Sequence, residues 1–516
     1  MELHTTGIRR LIDAASVARY TSDESSAYRG EASAVYLPRT VGEVAEIMRE
    51  AARTATPVTI SGAGTSITGA RVPSGGVVVS TERLRDIRSI GLSPEQTDSW
   101  TELREADACI KLSATEYLAL VPAGLRLSEL DRLLAGQDLL YPPDPTEMTA
   151  MLGGTIATNA SGARSYRYES SREWVEALLV VTASGSAVWI RRGDYIARSG
   201  KLDLPPAFPT PTVTVRSLPL PHTKHAAGLM LAPDVDLVDL IIGSEGILAV
   251  VVAAIVKLVR RPEPLIQIAA FYPSAAEALR GADVARDDAD VLSIEYFDGA
   301  ALSFIRDEYP QTPRAGSCVM FEVKYHPAGR HNPYPRDKFL SVWSRRLRDT
   351  DACGEWVALG EELRGMKAFR HALPEQVNRW VATRMGKLGT DMAVPPEAFP
   401  RMWEHYEQAR SEGIRTVLFG HLGQYHVHLN FLPENDGELS RARILYRDLA
   451  MAAVELGGTI SAEHGVGKKR LAGVDGTARA YLHYQYGQDG IKAIQETKRA
   501  LDPHWLLNPD TMIPRM

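Results

Sequence analysis

Val41, Val44, Ala45 and Met48 repeat at helical intervals behind Thr40 and Glu43, which have capping-box spacing; a helix is expected, closed by Pro57. Pro57-Val58-Thr59-Ile60 and Val77-Val78-Val79 then read as strands flanking a long loop of Gly, Ser and Thr. The same grammar recurs in a strand-like "YLALVPAG", a helix through Leu127, Leu130, Leu133 and Leu134, and "LLYPPDP". "EWVEALLVVTASGSAVWI" alternates into a hairpin around Ser184-Gly185. "DLVDLIIGSEGILAVVVAAIVKLV" reads as a helix, a tight Gly-flanked corner and a long buried strand. "RRPEPLIQ" (260–267), with its prolines and charges, is the expected domain boundary. Beyond it come strands at "SCVMFEVKY", "TVLFGH" and "HVHLNFL", a helix at 439–456, and an exposed loop at 326–338. No internal repeat interrupts the pattern. The expected class is α+β in two domains.

Length agrees, since 516 residues exceed one simple core. The composition, 45% hydrophobic and 24% charged, is that of a soluble globular protein, and no run of 18 apolar residues suggests a membrane span. "MELHTTGIRRLIDAASVARY" has no apolar signal core, so a cytoplasmic protein is expected, with peripheral attachment to the inner membrane left open. A net charge of −6 and the lack of a basic stripe argue against a nucleic-acid partner. Cys109, Cys318 and Cys353 are too scattered for a disulfide framework or an iron–sulfur cluster.

The glycine-rich stretch "VTISGAGTSITGARVP" (58–73) invites a dinucleotide-fold reading, with Glu82 as the ribose-binding acid. That reading fails, because the third fingerprint glycine is replaced by Ile67 and residues 65–76 break helices. A loop of this kind can still wrap a diphosphate with backbone N–H groups and short hydroxyls, or be an ordinary surface turn. A second block, "YPPDPTEMTAMLGGTIATNASGARSYRY" (141–168), places small residues where a large planar ligand could approach the backbone. Two such blocks plus "IGSEGILAV" weigh against a purely structural corner.

The other half carries "GHLGQYHVHLNF" and "GGTISAEHGVGKKR". His421 and His428 fall on the two arms of an expected hairpin, and Glu463 and His464 on a Gly-flanked loop. Two imidazoles and a carboxylate with an open position are the minimum set for a catalytic divalent metal, and His464 beside them is placed to act as a base. Any one of these histidines alone would be read as structural. Five of the 13 histidines, however, lie in 405–464.

"TSDES" near residue 22, "PRTVGEV", "SGAGTSITG", "PPDPTEMTAMLGGTIATNASG", "IGSEGILAV" and "LDPHWLLNPD" follow one another in the order of a known family. The chain resembles, over nearly its whole length, the FAD-linked oxidases that include D-lactate dehydrogenases, the glycolate oxidase flavin subunit and D-2-hydroxyglutarate dehydrogenases. The resemblance implies an FAD-binding domain of the vanillyl-alcohol-oxidase type over 1–261, its motifs starting near 31. It also implies a substrate cap over 262–516 whose tail returns to the flavin. Ser61, Gly62, Ala63, Gly64, Thr65, Ser66, Thr68 and Gly69 would then grip the FAD diphosphate. Gly153, Gly154, Ala157, Asn159, Ser161 and Gly162 would face the flavin end, with Pro143, Thr146, Glu245, Gly246 and Asn508 also at the cofactor.

The relatives' metal segment reads His-Leu-Gly-Asp-Gly-Asn-Leu-His. His421, His428 and the Glu463-His464 pair match it, but Gln424, Tyr425 and His426 depart from it. On a strand, His426 and His428 share a face, so His426 could join the metal or touch substrate. Arg370 in "FRHALPEQVN" resembles the relatives' substrate-carboxylate arginine. Pro374 replaces a threonine, and Gly389, two positions ahead of the Asp in "DMAVP", replaces a lysine; both count against D-2-hydroxyglutarate.

The implied reaction oxidises a 2-hydroxy acid to the 2-keto acid. A divalent metal (zinc, manganese or iron) held by His421, His428 and Glu463 would lower the hydroxyl pKa, His464 would take the proton, Arg370 would clamp the carboxylate and FAD would receive the hydride. An external acceptor such as a quinone, a cytochrome or an electron-transfer flavoprotein would reoxidise the flavin, and a homodimer remains open. One rival is a flavin oxidoreductase of a sugar or aromatic alcohol that uses no metal. The other is a metal-dependent hydrolase or lyase.

Overall fold

Thr40 caps the first long helix as its spacing predicts: its hydroxyl accepts the Glu43 N–H at 3.1 Å, and the helix runs Val41–Thr54 with Val44, Ala45, Met48 and Ala51 buried. The Glu43 carboxylate reaches past the cap to the Arg39 N–H at 2.6 Å. This computed structural model describes residues 3, 5, 7–25, 27–91, 99–262, 264–325 and 335–515.

Val58–Ser61 and Val77–Ser80 pair in parallel, and loop 62–76 joins them without a helix, in keeping with the exclusion of a dinucleotide fold. Ala34–Tyr36 and Arg10–Leu11 extend this sheet beyond Val77–Ser80. The other edge, at Val58–Ser61, is bordered by chain from far away. Val58 N donates to Leu506 O at 2.7 Å, Asn508 N donates to Val58 O at 2.8 Å, and Leu507 bridges Val58 in parallel.

A second sheet runs Ala187–Arg191, Val175–Val181, Val250–Lys257, Leu118–Pro122, Ala108–Leu112 and Thr101–Glu105. Val250–Lys257 is central and almost wholly buried, as an uninterrupted apolar run requires. The expected hairpin about Ser184-Gly185 is its edge.

The C-terminal half is built on a sheet ordered Gly354–Leu359, Leu265–Tyr272, Ser317–Lys324, Val291–Asp298, Thr416–Gly420, His428–Phe431 and Leu388–Gly389. Helices Ala275–Arg286, Leu363–Val381 and Phe399–Ser411 contribute buried residues to its packing. The helix expected at 439–456 runs Asp436–Glu455, with Asn435 Oδ1 accepting the Glu438 N–H at 3.0 Å as its cap.

The boundary expected at "RRPEPLIQ" runs straight into a paired strand, Leu265–Tyr272. One expectation needs correction. The loop expected at 326–338 lies outside the described residues up to 334, and from Arg336 the chain is helical through Arg348. Pro335 ahead of that helix costs no internal hydrogen bond, and Trp343 and Leu347 supply a buried face.

Candidate functional site

The two glycine-rich blocks meet. A Cβ built on Gly62 would lie 4.0 Å from Gly154 Cα, so loop 61–69 and helix Leu152–Ala157 face each other across bare backbone. A Cβ on Gly154 would meet nothing within 4 Å, and the Ser161 hydroxyl is buried without a hydrogen-bond partner. Unblocked backbone at Gly154 and an unpaired buried hydroxyl at Ser161 each fit a bulky polar cofactor such as FAD. The loop is braced from both ends of the chain: Gly69 N donates to Asp23 Oδ2 at 2.7 Å, and Lys468 N donates to Thr68 O at 2.8 Å.

Other expected cofactor residues hold the scaffold. Asn159 joins Arg172 N and His225 O, while Gly162 packs tightly on Asp144 O. The Glu245 oxygens accept the Val466 and Gly467 N–H groups, each at 2.8 Å. Burial pushes the Glu245 carboxyl up, against those two bonds, to about 7. Asn508 takes the Ile60 N–H on Oδ1 and gives Nδ2–H to Glu245 O, each at 2.7 Å. Gly246 lies under the Asn508 amide, Pro143 is buried and Thr146 is exposed.

The histidine cluster forms where neighbouring strands end. Glu295 lies in Val291–Asp298, whose Tyr296 and Phe297 pair with Gly420 and Phe419; His421 follows immediately. His428 opens the next strand opposite Phe419, and Thr390 and Asp391 follow Leu388–Gly389 beyond it. Gly420 turns this corner at φ +140, where a Cβ would come within 3.1 Å of His426 O. The strand expected through His426 begins only at His428. His426 is held instead by a bridge to Ala393, after Tyr425 in a left-handed conformation, yet the two rings are still 4.4 Å apart.

Glu463 sits among them. His421 Nε2 lies 3.3 Å from Glu463 Oε2, and His428 Nε2 lies 3.3 Å from Glu463 Oε1. The opposite nitrogens are engaged by oxygen: His421 Nδ1 by Glu295 at 2.7 Å, and His428 Nδ1 by Thr390 O at 2.9 Å. Burial alone would raise the Glu463 carboxyl, but Lys224 and His421 outweigh it and hold it well below the usual carboxylate range. For Glu295, Arg370 and His421 overcome the same burial penalty. The convergence of Nε2 atoms on a carboxylate, each ring fixed from behind, is a donor set that fits a divalent cation.

His464 Nδ1 lies 3.2 Å from Asp391 Oδ2, and its ring keeps 32% of its surface exposed. Burial disfavours the charged imidazole, but Asp391 prevails and raises its pKa. Arg370, on helix Leu363–Val381, spends Nε on Glu295 Oε2 at 3.0 Å, so Glu295 ties it to His421. Expected metal ligands, base and carboxylate clamp are therefore brought together.

Three charged members had not been foreseen. Lys224 Nζ is 2.7 Å from Glu463 Oε2 with 2% of its side chain exposed. It lies in no motif. Glu295 is a charge in an apolar strand, a signal that sequence does carry. Asp391, within the "DMAVP" landmark, also accepts Ser461 Oγ–H at 2.6 Å and the His464 N–H at 3.0 Å.

Among the described residues, no helix is long and apolar enough to cross a membrane. Residues 32–191 match the family described as FAD binding domain, and 261–512 match FAD linked oxidases, C-terminal domain. The glycolate oxidase subunit GlcD of Bacillus subtilis is 26% identical over 96% of this chain and 92% of its own length. D-2-hydroxyglutarate dehydrogenase of Stutzerimonas stutzeri is 25% identical over 97% and 95%, and D-lactate dehydrogenase of Archaeoglobus fulgidus is 25% identical over 93% and 91%. A solved structure of alkyldihydroxyacetonephosphate synthase shares the fold, with a TM-score of 0.63 and 15% identity over 97% of this chain and 82% of that one. With both halves matched in order and the glycine blocks facing each other, the chain belongs to the FAD-linked oxidases and is an FAD-binding oxidoreductase of two domains.

Proposed function

We propose that this protein is an FAD-dependent dehydrogenase that oxidises a 2-hydroxy acid, of the class of D-lactate or glycolate, to the 2-keto acid. The observation that carries this reading is the convergence of His421 and His428 on Glu463, with His464 and Arg370 at its margins. Residues 1–261 would hold FAD and 262–516 would cap the substrate. His421, His428 and Glu463 would hold a divalent cation. When bound, FAD supplies the hydride acceptor and the cation supplies Lewis acidity toward the hydroxyl.

The chain's own residues do the rest. Arg370, with Nε anchored on Glu295, presents its terminal nitrogens to the substrate carboxylate. His464, oriented by Asp391, takes the hydroxyl proton. An external acceptor then reoxidises the flavin. D-2-hydroxyglutarate is disfavoured. Pro374 lies inside the Arg370 helix and offers no hydroxyl, and a side chain at Gly389 would collide with Asn430 Oδ1 at 2.6 Å.

Lys224 favours a second reading, in which its ammonium supplies the positive charge beside Glu463 and no metal takes part. Anaerobic flavin bleaching against D- and L-2-hydroxy acids, with and without chelator, separates the two. Bleaching that chelator abolishes is expected. Bleaching by metal-free protein at the full rate supports the second reading, and no bleaching by any 2-hydroxy acid removes the substrate assignment.

A further inference from the structure

Four imidazoles surround Glu463: His421, His428, His464, whose Nε2 lies 3.6 Å from Oε1, and His426, which has no role in the reaction proposed above. The side chain of His426 is wholly buried, with Nε2 3.0 Å from Asp391 Oδ1 and Nδ1 4.0 Å from Glu463 Oε2. Neither ring nitrogen makes a well-directed hydrogen bond. With Nε2 turned to Asp391, Nδ1 is left buried without a partner, which is costly, and a merely space-filling role would be met at less cost by an apolar side chain. His421 has an oxygen behind one ring nitrogen and Glu463 before the other, as does His428, and His426 repeats the arrangement with Asp391 behind it. Single donor atoms of His421, His426, His428 and Glu463 all lie within 4.8 Å of one another.

We propose that His426 is a fourth metal-ligating side chain, making a set of three imidazoles and one carboxylate in which Asp391 orients His426. The proposal rests on the divalent-cation reading above and deepens it. The motif that the chain resembles has Asn where this chain carries His426. The added imidazole shifts the site toward nitrogen-preferring metals. Four protein donors would also saturate a tetrahedral zinc, so an open position calls for a metal that takes five or six ligands, such as iron(II) or cobalt(II).

The test loads full-length, FAD-containing protein with cobalt(II). His426→Asn should bind cobalt at least about tenfold more weakly in chelator competition, since even outer-shell partners command about 10–100-fold. Its visible absorption bands should also change. Should His426→Asn misfold, X-ray absorption on cobalt-loaded wild type counts the imidazoles directly: three are expected, and two would overturn the proposal. Equal affinity and identical spectra for the two proteins would likewise overturn it while leaving the divalent-cation reading intact. Wild type that takes up no cobalt, manganese, iron or zinc overturns both.

Discussion

Lys224 Nζ lies 2.7 Å from Glu463 Oε2, joining points 239 residues apart in the chain inside the protein. Lys224→Met would leave the buried carboxylate without its ammonium, a loss of about 3–5 kcal/mol for a broken buried pair. In chelator-treated protein the thermal midpoint should fall accordingly. Added manganese or zinc should raise that midpoint more in Lys224→Met than in wild type, because the cation restores the missing charge. Equal midpoints in the two metal-free proteins would show that the pair contributes nothing to stability.

Gly154→Val tests the cofactor cradle without disturbing the scaffold. A Cβ there touches nothing within 4 Å, so circular dichroism should be native, whereas the added bulk would occupy open space next to the glycine loop. Flavin absorbance of the purified variant should be largely lost. A full complement of flavin would remove helix Leu152–Ala157 from the site.

Arg370→Lys keeps the charge but loses the planar fork, so KM for 2-hydroxy acids should rise and turnover fall. Glu295→Gln should show a different fault. It weakens the acceptor behind His421 Nδ1, and metal affinity should drop by about 10–100-fold, the usual effect of an outer-shell partner. Retained affinity measured by chelator competition would show that Glu295 serves Arg370 alone.

Glu463→Gln should lose divalent metal by elemental analysis, whereas His464→Ala should keep metal and FAD. The latter should slow flavin reduction by about two to four orders of magnitude, the range for a positioned base. If both variants retain metal, Glu463 is not a ligand.

The pH dependence follows from His464, whose pKa is raised above the ordinary 6.5 because Asp391 outweighs burial. Only the neutral ring accepts a proton, so flavin reduction should fall as pH drops through the pKa of His464, and Asp391→Asn should move that limb to lower pH. Stability runs the other way. The His464–Asp391 pairing contributes fully below pH 6.5 and is lost as pH rises through the raised pKa. The stability advantage of wild type over His464→Ala should therefore shrink from pH 6 to pH 9. A gap that widens with pH would show that the ring is buried neutral.

Much of this site was legible because its signals are local. Thr40 with its apolar repeat, the helix-breaking composition after Gly62, and the packing of four histidines into two Gly-bounded segments each need only a short window of sequence. What escaped was set by distant pairing. Asp391 reaches His426 only because Leu388–Gly389 lies beside the His428 strand, and Lys224 arrives from a segment whose sequence has no periodic or motif signal. The loop expected at 326–338 overlaps the start of helix Arg336–Arg348, because a proline ahead of a helix is a start signal as well as loop punctuation.

The pairing of Val58 with Leu506–Asn508 has a consequence for how the protein is made. On the ribosome, Val58–Ser61 emerges early, but Asn508 Oδ1, which takes the Ile60 N–H, is synthesised 448 residues later. Until translation passes Asn508, the strand leading into the glycine loop has one open edge and Glu245 O lacks its amide partner. Cofactor capture is therefore expected late in synthesis, after the strand gains that partner. A product stopped short of that asparagine should hold less flavin than the full chain, so flavin content would report finished synthesis.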